Sequence, residues 1–259
     1  MKNELIIEYI KNWMFDYATN SNSNGFVIGI SGGIDSALTS TLAAKTGLHV
    51  LCVEMPIHQN SNQINRAKEH INWLKKNYSN VHSTEIDLTK LYDQFKNSFD
   101  KTNTTKNYEI SLVNSRARLR MTTLYFLAQS HGLLVAGTGN KVEDFGIGFY
   151  TKYGDGGVDL SPIADLLKTE VYELCKTLGV SESIIKAAPT DGLWGDDRTD
   201  EDQIGATYPE LEWAMNYKED GKNLNSRQKE ILDIYKKFNT SNKHKMIPIP
   251  VCYIPKKLS

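Results

Sequence analysis

The sequence predicts an α/β fold, a doubly wound, mostly parallel sheet with helices on both faces. Three observations predict it. Short β-prone runs alternate with longer segments of helical periodicity, a glycine turn ends the first run where a helix begins, and another buried-strand candidate follows a long helix.

The elements follow in order. Met1 to Asn20 places Ile6, Tyr9, Ile10, Trp13 and Met14 at helical spacing, interrupted by Glu8, Lys11 and Asp16, which reads as a folded amphipathic helix and not a cleaved leader. Phe26-Val27-Ile28-Gly29-Ile30 is a first strand that stops at Ser31-Gly32-Gly33, after which Ala37, Leu38, Leu42 and Ala43 resume at helical spacing. His49 to Met55 is a second strand closed by Pro56. Ala67 to Tyr78 reads as the next helix, with Ile71, Trp73 and Leu74 apolar, and Val81 to Ile86 as a weaker third strand. This βαβα alternation requires parallel pairing, because each crossover helix returns the chain to the start of the next strand.

Ser98 to Tyr108 is polar, rich in Asn, Thr and Lys, and reads as an exposed connection. Ala117, Met121, Leu124 and Ala128 share one helical face up to Gly132, and Leu133 to Gly137 is a fourth strand. A helix from about Asp165 to Leu178 turns Leu167, Val171, Leu174, Cys175 and Leu178 inward and stops at Gly179. Asp191 to Gly205 is acidic and glycine-rich, the composition of a mobile lid, and His244-Lys245 lies in a polar tail.

With 259 residues, 40% of them hydrophobic and 24% charged, the chain reads as a single domain over 1–259 able to bury a core without disulfide or structural metal. No stretch approaches the roughly 20 apolar residues of a membrane span. Thirty basic residues against 31 acidic ones give a net charge of −1, so no basic bias announces a nucleic-acid partner. Cys52, Cys175 and Cys252 are far apart and show no CxxC spacing, which fits a reducing, cytoplasmic setting.

Ser31-Gly32-Gly33-Ile34-Asp35-Ser36 falls where a strand's C-terminal end meets a helix N-terminus, the place where parallel sheets present ligands. Its glycines let backbone N–H groups approach phosphate oxygens, the helix dipole adds about half a positive charge, and Ser31 and Ser36 add hydroxyls. Asp35 repels phosphates unless a cation lies between them, and Mg2+ resolves that conflict. Alone, a glycine pair is more often a tight turn. After a β-run and before a helix, SGGxDS is the pattern of the PP-loop ATP pyrophosphatases, and it lacks the Gly-Lys-Ser or Gly-Lys-Thr of a Walker A loop.

Later motifs narrow the choice. Ala117-Arg118-Leu119-Arg120-Met121, Gly137-Thr138-Gly139-Asn140-Lys141-Val142-Glu143 and Phe149-Tyr150-Thr151-Lys152-Tyr153-Gly154-Asp155-Gly156-Gly157, with Asp159, Lys168, Pro189-Thr190 and His244-Lys245, resemble ammonia-dependent NAD synthetase in order along nearly the whole chain. That resemblance implies an adenine nucleotide α-hydrolase-like fold. It implies ATP-dependent amidation of deamido-NAD by ammonia, giving NAD, AMP and pyrophosphate through an adenylated carboxylate, the last step of NAD biosynthesis. By position it assigns ATP to Gly29, Ile30, Ser31, Gly32, Gly33, Ile34, Asp35, Ser36, Thr138, Lys168 and Thr190, and magnesium to Asp35 and Glu143. Deamido-NAD falls to Arg118, Lys152, Asp159, His244 and Lys245, and the catalytic pair is Asp35 and Lys168. A homodimer with sites at the interface is the implied assembly.

Glu143 rests on counting forward from Gly137-Thr138. Counting back from Lys152 selects Asp144, because Glu143 to Gly148 is one residue longer than the commoner family pattern. The forward count is preferred, since an insertion is easier to place after the ligand-bearing turn. A lysine in a helix's first turn opposes the dipole, which favours an anionic partner for Lys168. A tRNA-modifying PP-loop enzyme is the nearest rival, but it would show a basic face and, if thiolating, reactive cysteines. A non-hydrolysing nucleotide sensor is the other, and it would not need Asp35, Glu143 and Lys168 together. No residues remain for a glutaminase domain, so free ammonia is the expected nitrogen donor.

Overall fold

The computed structural model describes residues 1–99, 107–190, 198–218 and 224–256. The chain opens with α1 (Lys2–Asn20) and then alternates β1 (Gly25–Gly29), α2 (Ile34–Lys45), β2 (His49–Glu54), α3 (Ser61–Asn77) and β3 (Val81–Glu85). After α4 (Thr89–Asn97) and α5 (Tyr108–His131) it returns to β4 (Leu134–Val135), followed by a π-helical segment, Val142–Ile147. Then come α6 (Lys168–Leu178), α7 (Glu182–Ile185), α8 (Asp200–Ile204), α9 (Tyr208–Asn216) and α10 (Ser226–Met246).

All strand pairs are parallel, in the order β3-β2-β1-β4. The chain therefore winds outward from β1 to β3 and reappears on the other side of β1 as β4. That reversal leaves a crevice beyond the C-terminal ends of β1 and β4, the topological switch point of an open sheet.

Period-two alternation fills both faces. Phe26, Ile28, Val50 and Cys52 pack with Ile10 and Met14 of α1, Leu38 and Leu42 of α2, Ile71 and Leu74 of α3, and Val171 and Leu174 of α6. Val27, Leu51 and Val53 face the other way, onto Tyr92 of α4 and Leu127 and Ala128 of α5. A third cluster, beside the sheet, joins Val142 and Ile147 of the π-helical segment to Ile204, Tyr208, Leu211 and Ile231 from α8, α9 and α10. Among the described residues no helix is long and apolar enough to cross a membrane.

Several elements differ from expectation for identifiable reasons. The helix expected from Ala67 begins at Ser61, because Asn60 caps it by accepting from Asn62 N at 2.8 Å before the apolar stripe starts. In α1 the buried stripe is Ile7, Ile10, Met14 and Ala18, while Tyr9 is 74% and Trp13 40% exposed. The helix expected from about Asp165 starts at Lys168, after Glu170 reaches back to accept from Leu167 N at 2.9 Å. His244 and Lys245 are not in a tail but in the last turn of α10, whose later turns are too polar to show a stripe. Residues 100–106, most of the expected exposed connection, lie outside the described residues. So do 191–197 of the expected lid, whose remainder includes α8 with Asp200 and Ile204 buried.

The segment in which the resemblance implies one extra residue, Val142–Ile147, is π-helical, and a π-turn holds one more residue than an α-turn. It ends at Gly148, left-handed at φ 63°, where a Cβ would fall 2.5 Å from Asn242 Cβ, so only glycine fits under α10.

Candidate functional site

Ile30 N donates to Val53 O at 2.9 Å as the last sheet bond before the chain turns over the top of β1. The turn then closes on itself. Ser36 Oγ donates to Gly33 O at 2.9 Å, lies 3.2 Å from Ser31 Oγ and accepts from Ser31 N at 3.3 Å. Gly32 sits at φ 80°, and a Cβ there would come within 2.5 Å of Gln63 O, so α3 packs directly on the loop and no side chain is tolerated. The first N–H groups of α2 have no preceding turn to donate to and face the crevice mouth, the condition for anion binding.

Opposite the loop, Lys168 Nζ donates to Asp35 Oδ2 at 2.5 Å and to Glu143 Oε1 at 3.0 Å, and its side chain is only 3% exposed. Asn140 fixes both acids: its Nδ2 donates to Asp35 Oδ1 at 3.1 Å, and its Oδ1 accepts from Val142 N and Glu143 N at 3.1 and 3.2 Å. Tyr208 OH donates to Glu143 Oε1 at 2.5 Å and lies 3.3 Å from Asp200 Oδ2. Burial opposes charge on Lys168, but the fields of Asp35 and Glu143 more than offset it and hold the ammonium well above the ordinary lysine value. Burial also raises Asp35, aided by Glu143 and opposed by Lys168. Glu143 feels the same burial, yet Lys168 and the Tyr208 hydroxyl leave it below the usual carboxylate value.

Two carboxylate oxygens thus converge on one cation, the Lys168 ammonium. That donor set fits a divalent ion held by two acids whose remaining ligands are phosphate oxygens and water, the usual pattern for Mg2+. Among the described residues no group of three or more His, Cys, Asp or Glu side chains is placed to hold a metal by itself. Asp144, by contrast, turns toward Gly139, where a Cβ would lie 2.2 Å from its carboxylate oxygens. Burial first, then the charges of Glu143, Asp155 and Asp35, push its pKa up to about 8.

Asp35, Glu143, Asp144, Lys168 and Asp200 border a cavity of about 300 Å³. Every residue from Gly29 to Ser36 lines it, together with Thr138, Glu143, Lys168 and Thr190. The five residues assigned to deamido-NAD do not. Four of them form a second cluster at the end of α10: Arg118 Nη2 donates to Lys152 O at 3.4 Å, Lys152 Nζ to His244 O at 2.7 Å, and Lys245 Nζ to Gly148 O and Tyr150 O at 2.6 and 2.7 Å. Asp159 stands apart, accepting from Val135 N at 2.8 Å and Tyr125 OH at 3.0 Å, and so pins β4. A row on α10 at three-residue spacing extends the contact. Asn239 Nδ2 donates to Gly146 O at 2.7 Å, Asn242 Nδ2 to Ile147 O at 2.9 Å, and Lys245 follows.

A sequence profile of NAD synthase matches residues 6–248. The chain belongs to the NAD synthase family. It is 38% identical to an NH3-dependent NAD+ synthetase of Mesoplasma florum over 222 residues, 85% of this chain and 88% of that one. Its fold superposes on NMN synthetase from Francisella tularensis with a TM-score of 0.84 at 33% identity, covering 99% of each chain. It superposes on NH3-dependent NAD synthetase from Campylobacter jejuni with a TM-score of 0.78 at 29% identity, covering 98% and 100%.

Within this NAD synthase chain, sequence reasoning gave roles to the loop, Asp35, Glu143 and Lys168 but none to Asn140, Tyr208 or Asp200, which hydrogen-bond to them or to one another. Asn140 carried a signal. It follows Gly137-Thr138-Gly139, and an amide at the end of a glycine turn both donates and accepts. Asp200 and Tyr208 carried none, because they reach the site from α8 and α9, more than fifty positions along the chain from Glu143.

Proposed function

We propose that the chain is an NH3-dependent NAD synthetase, which converts deamido-NAD, ATP and ammonia to NAD, AMP and pyrophosphate. The observation that carries this reading is the meeting, in one cavity, of the glycine loop with the Asp35–Lys168–Glu143 set, in a chain whose relatives bear that name. The loop N–H groups and the serine hydroxyls hold the ATP phosphates, with Thr138, Lys168 and Thr190 beside them. The nicotinate carboxylate attacks the α-phosphorus, and pyrophosphate leaves toward the loop. Ammonia then adds to the acyl carbon of the mixed anhydride, a proton departs from nitrogen, and AMP leaves with the bonding pair.

Catalysis is positioning and charge neutralisation, and no covalent nucleophile on the protein is needed. Asp35 and Glu143 are the residues that would hold Mg2+, which when bound supplies positive charge against the triphosphate. Lys168 then moves its ammonium from the two acids to the phosphates. Arg118, Lys152, Asp159, His244 and Lys245 are the proposed deamido-NAD residues. Their separation from the ATP cavity within one chain supports a homodimer in which the second subunit completes the site. In this reading the NAD synthetase domain works in the cytoplasm with free ammonia as its nitrogen donor.

The structural likeness to a protein named NMN synthetase favours one alternative, in which the mononucleotide is amidated in place of the dinucleotide. One assay series tests both readings. Deamido-NAD and nicotinic acid mononucleotide are compared as acceptors with ATP and ammonium, and glutamine replaces ammonium in a third arm. NAD formed with ammonium and not with glutamine is the expected result. A higher kcat/KM for the mononucleotide would install the alternative, and equal activity with glutamine would overturn the ammonia assignment.

A further inference from the structure

Among the described residues, three cations border the cavity: Arg66, Arg120 and Lys168. Two are occupied by partners of their own. Lys168 is held by Asp35 and Glu143, while Arg120 directs Nε to Met55 O at 3.0 Å and Nη2 to Gln59 Oε1 at 2.8 Å. Arg66 differs from both. Its Nε donates to Gly32 O, within the glycine loop, at 3.2 Å, and among the described residues no carboxylate lies within ion-pair distance of its guanidinium.

A guanidinium carries five N–H donors, and among the described residues a single one of Arg66 is engaged, by a neutral acceptor. That bond ties the group to the loop, and α3 packs so closely there that a Cβ on Gly32 would lie 3.3 Å from Arg66 Cβ and 3.1 Å from Ala67 N. Among the described residues the terminal nitrogens meet no ion-pair partner, and Arg66 lines the cavity together with the loop. A rigid, charged fork of donors next to an anion-binding loop matches the geometry of phosphate oxygens, which Arg meets in pairs.

We propose that Arg66 is a phosphate-binding residue, whose terminal guanidinium nitrogens take the β,γ-phosphate end of ATP and retain the departing pyrophosphate. This rests on the pyrophosphate-releasing reaction proposed above. The loop amides alone supply partial charges. A pyrophosphate that parts from AMP gains negative charge as it leaves, and among the described lining cations Arg66 meets it without first breaking an ion pair or a side-chain bond.

Inorganic pyrophosphate is the probe. Wild-type enzyme should release pyrophosphate and be inhibited by it, and formation of ADP and phosphate would overturn the underlying reaction and this role with it. With that established, R66Q and R66K are compared by pyrophosphate inhibition, by calorimetric pyrophosphate binding and by thermal midpoint. Both substitutions retain a donor for Gly32 O, and R66K alone keeps the charge. R66Q should weaken pyrophosphate binding and raise KM for ATP by about 10- to 100-fold, the range for losing a charge-assisted hydrogen bond, with KM for the dinucleotide unchanged. R66K should lose only a few-fold. Unchanged pyrophosphate binding in R66Q would overturn the proposal, as would equal losses in R66Q and R66K, which would make Arg66 a brace for Gly32 and nothing more.

Discussion

At the glycine loop, Lys168 is shared between two carboxylates and almost wholly buried, whereas at the end of α10 Lys152 and Lys245 direct their ammonium groups at backbone carbonyls. The first arrangement is a network in which charge answers charge, and it stands complete within one chain. The second positions cations without neutralising them, since a carbonyl orients an ammonium but leaves its net charge to attract an anion. On the proposed assignment, the difference separates a half set before substrate arrives from a half that awaits it. Substitutions in the loop half should act on turnover, and those in the α10 half on affinity for the dinucleotide.

The largest expected effect is in the loop half. Asp35→Asn keeps shape and removes charge, so it should fold normally yet lose turnover by about 100-fold or more, the scale for removing one electrostatic stabiliser, with its Mg2+ dependence flattened. Near-normal kcat and Mg2+ response in a steady-state assay would break the comparison at its root. Next, Glu143→Gln should show a comparable loss, because the Glu143 carboxylate shares Lys168 with Asp35. Asp144→Asn should cost far less. A severe defect confined to Asp144→Asn would shift the acid site by one residue along the π-helical segment.

In the α10 half, Lys152→Met should raise KM for deamido-NAD by about tenfold while leaving KM for ATP in place, since one charge-assisted contact is removed. Equal rises in both constants would show that the two halves are not separable. The smallest effect sharpens the contrast through acid sensitivity. His70 is buried beside the loop half, its Nε2 2.9 Å from Ser40 Oγ, and burial lowers its pKa to about 4. The folded value lies below the unfolded one, so the unfolded chain takes the proton first. Stability is whole above about pH 6.5 and is lost progressively as pH falls toward 4, by under about 1 kcal/mol between pH 7 and pH 6. Denaturant melts at these pH values should show that slope, and His70→Gln should flatten it. Coincident curves for the two proteins would remove His70 from the account.

The loop was legible in the sequence because its signal is local: an apolar run, two glycines, then helical spacing, all between Phe26 and Ala43. Lys168 was legible for a similar reason, as a cation at the wrong end of a helix dipole. What stayed hidden depends on partners far along the chain. Asn140 reaches Asp35 across 105 positions and Arg66 reaches Gly32 across 34, and neither distance leaves a periodic trace. The α4 helix escaped notice because it buries a single side chain, Tyr92. The π-helical width of Val142–Ile147 was not legible either, since helix width is not written in composition.

The π-helical segment also gives α10 a second task. Asn239, Asn242 and Lys245 form a row of donors that meets the carbonyls of Gly146, Ile147, Gly148 and Tyr150. Such a row works as a ruler laid along the widened turn, and Glu143 stands at the other end of the segment being measured. Adding or deleting one residue on either side puts the marks out of step. The carboxylate beside Lys168 and the basic cluster at the helix end are therefore calibrated by a single rod, and changes of length between Val142 and Gly148 must be matched on α10.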